Sequence, residues 1–153
     1  MAKRSAGILL HRARAGGREV LLVHPGGPFW AKRDDGAWSI PKGEYGEGEE
    51  PLAAALREFE EEVGSALDHA GDLVELGEVR QRNRKLVTVW AAEGDVDASA
   101  VRSNTFTMEW PPRSGKTQEF PEIDRAEWFP LVRARAKLIE AQAAFLDRLE
   151  ERI

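Results

Sequence analysis

The order of strand and helix patterns along the chain predicts an α/β fold in which a mixed β-sheet lies between helices. Short apolar runs bounded by Gly, Pro or charged segments indicate strands. Two longer stretches carry apolar residues at intervals of three and four, the spacing of an amphipathic helix. Because strand patterns precede and separate these stretches, the helices are expected to cover the sheet.

Six short segments are predicted to be strands. They are residues 6–11, 20–24, 38–40, 73–79, 86–92 and 126–129. A Gly-rich turn at 15–17 joins the first two, which predicts a hairpin. The basic segment 80–85 is interpreted as a turn between the fourth and fifth strands, and 111–117 as a loop.

The first helix is predicted over residues 51–63. Pro51 suits the first helical turn, and Gly64 suits the C-terminal stop. The apolar side chains of this helix recur at four, three and four residues and predict one stripe that faces the core. Those side chains are Leu52, Leu56, Phe59 and Val63.

A second helix is predicted over residues 131–149. Leu138, Ala141, Phe145 and Leu149 share one face at helical spacing. We therefore expect a single long helix that packs on the sheet after its last strand.

The composition is that of an ordinary globular protein. The chain has 153 residues, 42% hydrophobic content, no Cys and a net charge of −5. One domain over residues 1–153 is expected. The absence of Cys and of long apolar runs favours a cytoplasmic protein without a membrane partner. Its mild acidity argues against a nucleic-acid partner, and oligomeric state cannot be read from the sequence.

The acidity is concentrated in residues 43–65. Eight acidic residues and one Arg give this stretch a charge of −7, so the rest of the chain sums to +2. On the predicted helix, Glu58, Glu61 and Glu62 form a second stripe beside the apolar one. Like charges at this spacing repel, and a bound divalent cation would offset the repulsion.

A solvated helix face is the alternative interpretation of this acidic stripe. Surface helices usually mix Lys with Glu, however, and no Lys occurs between Glu44 and Gly64. This absence favours a cation site over a simple solvated surface.

The acidic stretch resembles the signature of the Nudix hydrolases, G-x5-E-x7-R-E-U-x-E-E-x-G-U, where U is a bulky apolar residue. The matching residues are Gly43, Glu49, Arg57, Glu58, Phe59, Glu61, Glu62 and Gly64, whereas Ser65 departs from the final apolar slot. The preceding residues, 38–43, and the segment Glu127-Trp128-Phe129 also resemble that family. The resemblance extends over the whole chain and implies an α/β/α sandwich that hydrolyses a nucleoside diphosphate linked to another moiety.

The resemblance implies a Mg²⁺ or Mn²⁺ site on this helix. Glu58, Glu61 and Glu62 are the implied side-chain ligands, and the backbone carbonyl near Gly43 completes the metal shell. A hard cation of this kind prefers oxygen ligands.

The family also implies roles for the residues around the metal. Arg57 and Glu49 would orient the metal ligands, and Glu61 or Glu62 would take a proton from the attacking water. A further acid outside the motif often serves as ligand or base. Glu119 and Glu122 both follow the loop at 111–117, and we favour Glu119 for this catalytic role.

Substrate contacts are predicted from cations and aromatics near the motif. Lys42 and Lys116 are candidates for phosphate contacts, as is Arg82 in the basic turn. Trp30 is a candidate for stacking a nucleobase. For each of these residues an ordinary surface or core role stays open.

The predicted activity is pyrophosphohydrolysis of a nucleotide, with nucleoside triphosphates and dinucleoside polyphosphates as leading substrates. Diadenosine polyphosphate hydrolases often stack a base on a Tyr downstream of the motif, but Tyr45 inside the motif is the only Tyr here. Two non-enzymatic alternatives stay open. These are a nucleotide-sensing module and a protein-interaction domain that docks through the acidic helix.

Overall fold

The computed structural model describes residues 3–64, 67, 73–82 and 84–153. Its strands are β1 (Arg4–Arg14), β2 (Gly17–Pro25), β3 (Lys42–Glu44), β4 (Val74–Arg80), β5 (Leu86–Glu93), β6 (Thr105–Glu109), β7 (Thr117–Pro121) and β8 (Ile123–Pro130). Its helices are α1 (Pro51–Val63), α2 (Leu131–Lys137) and α3 (Ala143–Arg152). The main sheet has the order β4-β5-β1-β2-β8, with β3 paired to β1. Since β1 and β5 are parallel and the other pairs antiparallel, the predicted mixed sheet is confirmed.

Both faces of the sheet are covered by helices. On one face, Ile8 and Leu10 of β1 belong to a buried cluster with Phe59 of α1. On the other face, Leu9 belongs to a second cluster with Phe145 of α3. This division follows from the alternation of side chains along a strand, and it confirms that the sheet lies between helices.

Helix α1 has the predicted bounds, but its buried face differs from the predicted stripe. Phe59 is fully buried as expected, whereas Leu52 and Leu56 are only partly buried. Ala54 and Ala55 are fully buried in their place. The short alanine side chains allow the helix to lie close against the sheet, which turns the two leucines toward its margin.

The prediction of one helix over 131–149 is wrong, because α2 and α3 are separated by the extended residue Leu138 and a 3₁₀ turn. The backbone of Trp38 occupies this break. Its N–H donates to the carbonyl of Lys137 (3.0 Å), and its carbonyl accepts from the N–H of Ile139 (2.9 Å). These long-range bonds replace helical bonds that the local sequence favours.

Among the described helices, none is long and apolar enough to cross a bilayer.

The predicted strand at 38–40 is also not a regular strand. Trp38 bridges to Leu138 and Ser39 bridges to Val23, so consecutive residues pair with different elements. A pair of strands that the sequence did not predict, β6 and β7, forms a separate antiparallel ribbon. Its turn contains most of the predicted loop at 111–117.

Gln142 is fully buried in the break between α2 and α3. Its Oε1 accepts from the N–H of Ile40 (2.9 Å), and its Nε2 donates to Oε1 of Gln81 (2.9 Å) and to Oγ of Ser39 (3.1 Å). This side chain therefore ties the β4–β5 turn to residues 39–40.

The substitution Gln142→Leu keeps the volume but leaves buried polar groups without partners. We expect the free energy of unfolding to fall by about 1–3 kcal/mol or more, the cost of one such buried group. Urea denaturation measures the change. Glu140→Leu, at an exposed position of the same turn, is the control and should change stability by less than about 0.5 kcal/mol. Equal effects of both substitutions would contradict a structural role for the buried amide.

Candidate active site

The termini of α1 place its acidic side chains beside β3. Pro51 opens the helix, and Gly64 ends it in the left-handed conformation (φ 83°), where its N–H donates to the carbonyl of Glu60 (2.8 Å). A residue with a side chain is strained at such a φ, so Gly suits this stop. Because Phe59 and Val63 face the sheet, the intervening acids project along the flank of the helix.

Arg57 connects three of the motif carboxylates. Its Nε and Nη2 donate to the two oxygens of Glu49 (2.9 and 3.0 Å), a bidentate pair. Its Nη1 lies 2.9 Å from Oε1 of Glu58 and 3.3 Å from both oxygens of Glu61. The hydrogen bonds from Arg57 hold the pKa of Glu49 below its usual range. Arg57 therefore contacts Glu49 and two predicted metal ligands at once, and the positioning role of this pair stays a prediction.

Gly43 allows the carboxyl group of Glu58 to lie directly against the β3 backbone. A Cβ atom at position 43 would overlap the Glu58 carboxyl carbon and both of its oxygens. No other residue type fits here unless Glu58 moves. The structure thus brings together two residues that are predicted metal ligands, one through its backbone and one through its side chain.

Glu62 and Lys42 form the second contact between α1 and β3. The backbone N–H of Lys42 donates to Oε1 of Glu62 (3.2 Å). Burial raises the pKa of the Glu62 carboxyl to about 8 and lowers the pKa of the Lys42 ammonium. Burial also raises the pKa of Glu58. Carboxylates that lose hydration in this way favour a cation close to them.

Glu122 is the acid outside α1 that approaches this group. Its charge contributes, after burial, to the raised pKa values of both Glu58 and Glu62. The segment before β8 is anchored by a bond from the N–H of Gly26 to the carbonyl of Glu122 (2.8 Å). Glu119, the acid favoured from the sequence, lies on β7 opposite Thr107 and is exposed.

A cavity of about 240 Å³ opens beside these acids. Glu62, Glu122 and Lys42 line its polar side, and Trp30 lines its rim together with apolar residues of β2 and the helix break. The Trp30 ring is 39% exposed, with the guanidinium of Arg33 5.7 Å from its centre. The predicted site residues Lys42, Glu62 and Trp30 therefore meet at one cavity.

Buried His24 holds the loop that carries Trp30. Its Nδ1 lies 2.7 Å from Oδ1 of Asp124, and its Nε2 lies 2.6 Å from the carbonyl of Arg33. The imidazole thus joins the Trp30 loop to the strand that follows Glu122. Sequence reasoning missed this contact, because no local pattern relates two residues 100 positions apart.

The other predicted substrate contacts lie outside this cavity. Arg82 is exposed in the turn between β4 and β5, and Lys116 is exposed in the turn of the β6–β7 ribbon. Neither side chain lines the cavity beside Glu62. Ser65, the departure from the motif, lies outside the described residues.

The oxygen donors near α1 and β3 suit a hard divalent cation, although their side chains are not arranged around a common point. Within residues 3–64, 67, 73–82 and 84–153, no three acidic or histidine side chains converge closely enough to enclose an ion. Arg57 Nη1 instead lies between the carboxylates of Glu58 and Glu61. The donors are all oxygens and carry excess negative charge, which is the chemistry that Mg²⁺ and Mn²⁺ prefer.

Comparisons with known proteins identify the family of this chain. A family model described as "NUDIX domain" matches residues 1–149. A protein named RNA pyrophosphohydrolase from Brucella anthropi is 33% identical over 160 residues, which covers 88% of this chain and 83% of that protein. A protein of the same name from Brucella ovis is 31% identical over 143 residues, covering 74% and 72%.

Solved structures share the fold at lower identity. A C. elegans Ap4A hydrolase, described as a binary complex, superposes with a TM-score of 0.67 at 22% identity over 96% of both chains. The NUDIX domain of Shewanella oneidensis NrtR, in complex with ADP ribose, has a TM-score of 0.65 at 15% identity, covering 99% of this chain and 88% of that one. The solved structures show the fold alone, whereas the family model and the Brucella relatives also show the family. The chain belongs to the Nudix family and is a pyrophosphohydrolase that acts on phosphoanhydride bonds.

Proposed function

We propose that this protein is a divalent-metal-dependent enzyme that cleaves a nucleoside polyphosphate by attack of water at phosphorus. One observation carries the proposal: Glu62, Glu122 and Lys42 line one open cavity, and the Glu58 carboxyl group lies beside it against Gly43. Glu58 and Glu62 are partly buried and Glu122 is exposed; acids gathered in excess of bases repel one another unless a cation accompanies them. In a metal-bound phosphate chain, the cation would offset the charge of the carboxylates and the phosphates would pair with the Lys42 ammonium.

Mg²⁺ or Mn²⁺ would be held by Glu58, Glu61 and Glu62 and by the backbone carbonyl of Gly43. When bound, the cation neutralises phosphate charge and makes water more acidic. Arg57 keeps Glu58 and Glu61 in fixed orientations, since one guanidinium contacts both carboxylates. This positioning lowers the cost of arranging the acids when substrate binds.

The proton of the attacking water would pass to a carboxylate at the cavity. Glu62 is suited to this role because it lines the cavity beside Lys42. Glu61 is the alternative on the same helix flank. Glu122 would serve as the further acid outside the motif, because it lines the cavity with Glu62, whereas Glu119 lies on β7 and does not line that cavity.

The substrate would bind through its phosphates and its base. The Lys42 ammonium would donate to a phosphate oxygen, and the half-exposed ring of Trp30 would stack on a nucleobase. Lys116 and Arg82 would act only on parts of a substrate that extend beyond the cavity. Nucleoside triphosphates and dinucleoside polyphosphates have the phosphate chain and base that these groups recognise.

The triphosphorylated 5′ end of RNA is a second candidate substrate. The Brucella relatives named RNA pyrophosphohydrolases favour it, although the acidity of the chain argued against a nucleic-acid partner. A panel of nucleoside triphosphates, dinucleoside polyphosphates and a triphosphorylated oligoribonucleotide, with phosphate and pyrophosphate release as readout, tests the proposal. Absence of metal-dependent hydrolysis across the panel would favour a sensing or docking module.

Glu61→Gln and Glu62→Gln remove charge while conserving volume. Each should lower kcat by about 10²–10⁴-fold, the range for a positioned acid-base group, without loss of the folded circular-dichroism spectrum. Glu60→Gln is the matched control, since Glu60 is exposed on the same helix, and it should retain wild-type turnover. Near-normal activity of both test variants would overturn the assigned roles.

Gly43→Ala should displace the Glu58 carboxyl group, because the added Cβ overlaps it. We expect a loss of about 10–100-fold in metal affinity, as is typical when a metal ligand loses its support, measured by calorimetric titration with Mn²⁺. Gly46→Ala is the control, since a Cβ there meets no atom within 4 Å. Equal affinity in the two variants would exclude the proposed role of the close approach.

The metal-free protein should lose stability as pH rises through the neutral range. The folded state keeps the Glu62 proton up to about pH 8, whereas a carboxyl with the ordinary pKa of 4.5 has already lost it. The free energy of unfolding therefore falls between these pH values. In EDTA, the melting temperature of Glu62→Gln should increase relative to that of the wild-type protein as pH rises. A constant difference across this range would contradict the buried, protonated Glu62.

A further inference from the structure

Three exposed arginines lie at the end of β4 and in the turn that follows it, and the described part of the chain gives them no acidic partner. Arg80, Arg82 and Arg84 are exposed, and none of the three forms an ion pair with the described residues. Arg12 and Arg135, by contrast, are held by carboxylates at 2.5–2.9 Å. In a chain of net charge −5, three adjacent uncompensated guanidinium groups leave a local positive surface that we call the arginine turn.

The arginine turn is held in a defined shape. The N–H of Gln81 donates to the carbonyl of Lys85 (2.8 Å), and the N–H of Arg84 donates to the carbonyl of Gln81 (2.9 Å). Arg84 has φ 66°, a left-handed conformation that favours Gly over Arg. The Gln81 side chain is fixed by buried Gln142. The guanidinium groups therefore project from a constrained backbone.

The arginine turn lies next to the strand that leads into the active site. Lys85 at its end forms an ion pair with Glu44 (3.3 Å), the residue after Gly43. Leu86 pairs with Arg4 of β1, and the next residue of β1 pairs with Glu44. The turn and the metal-site segment thus flank the same end of β1.

We propose that the arginine turn binds the phosphodiester backbone of an RNA whose 5′-triphosphate occupies the active site. This inference rests on the proposed function and names its substrate class. A free nucleoside triphosphate ends in a neutral nucleoside, and so does each end of a dinucleoside polyphosphate. Of these three candidate substrates, only the RNA carries further phosphates beyond its first nucleoside. Arginine suits these phosphates because its planar fork donates two hydrogen bonds to one group.

The test compares Arg82→Gln/Arg84→Gln with a control of equal charge, Arg133→Gln/Arg152→Gln, whose arginines are exposed on α2 and α3. The substrates are a 5′-triphosphorylated octaribonucleotide and ATP. In the test variant, kcat/KM for the RNA relative to that for ATP should fall about tenfold or more. The slope of log(kcat/KM) for the RNA against log salt concentration should become shallower by about 1.4, because each of the two lost phosphate contacts contributes about 0.7. The control should leave both substrates unaffected.

Equal loss on RNA and ATP would overturn the proposal, because the arginines would then act on the triphosphate itself. An unchanged ratio would overturn it as well, while hydrolysis of ATP and RNA by the wild-type protein would still support the proposed function. Fluorescence anisotropy with a 5′-monophosphorylated octaribonucleotide provides a measurement without turnover. Binding that is equally tight in the test and control variants would exclude the site even if no substrate were hydrolysed.

Discussion

The contact of one guanidinium with three carboxylates is the interaction on which the active site depends. Arg57 is the only base in a stretch that carries eight acids, and it binds Glu49, Glu58 and Glu61 at once. Without it, neighbouring carboxylates on the helix would repel and adopt many rotamers. With it, the loop before α1 is tied to the helix flank, and the acids keep fixed orientations.

The surrounding elements pack closely around these acids and fix their position. Small residues on α1 let the helix lie close to the sheet, and Gly43 lets Glu58 reach the β3 backbone. On the far side, the break between α2 and α3 receives the backbone of Trp38. The segment that continues from Trp38 to Lys42 is therefore held from both faces of the sheet. Close packing of this kind makes the position of the cavity insensitive to surface changes.

Partly buried acids and exposed arginines lie in neighbouring parts of this region. Burial leaves Glu58 and Glu62 with raised pKa values, which suits a metal-bound polyphosphate. The arginine turn lies at the end of β1 beside this segment and suits phosphates that extend outward. The proposed RNA substrate would place its triphosphate in the first environment and its phosphodiester backbone in the second.

The sequence by itself determined the elements whose causes are local. Pro51, Gly64 and the three- and four-residue spacing of acids specify α1 and its charged flank, because neighbours along a helix are neighbours in sequence. Tertiary structure decided the rest. The break at Leu138, the ribbon of β6 and β7 and the approach of Glu122 all depend on bonds between distant segments. A helical pattern cannot reveal that another segment's backbone will compete for its hydrogen bonds, so only the folded chain settled these features.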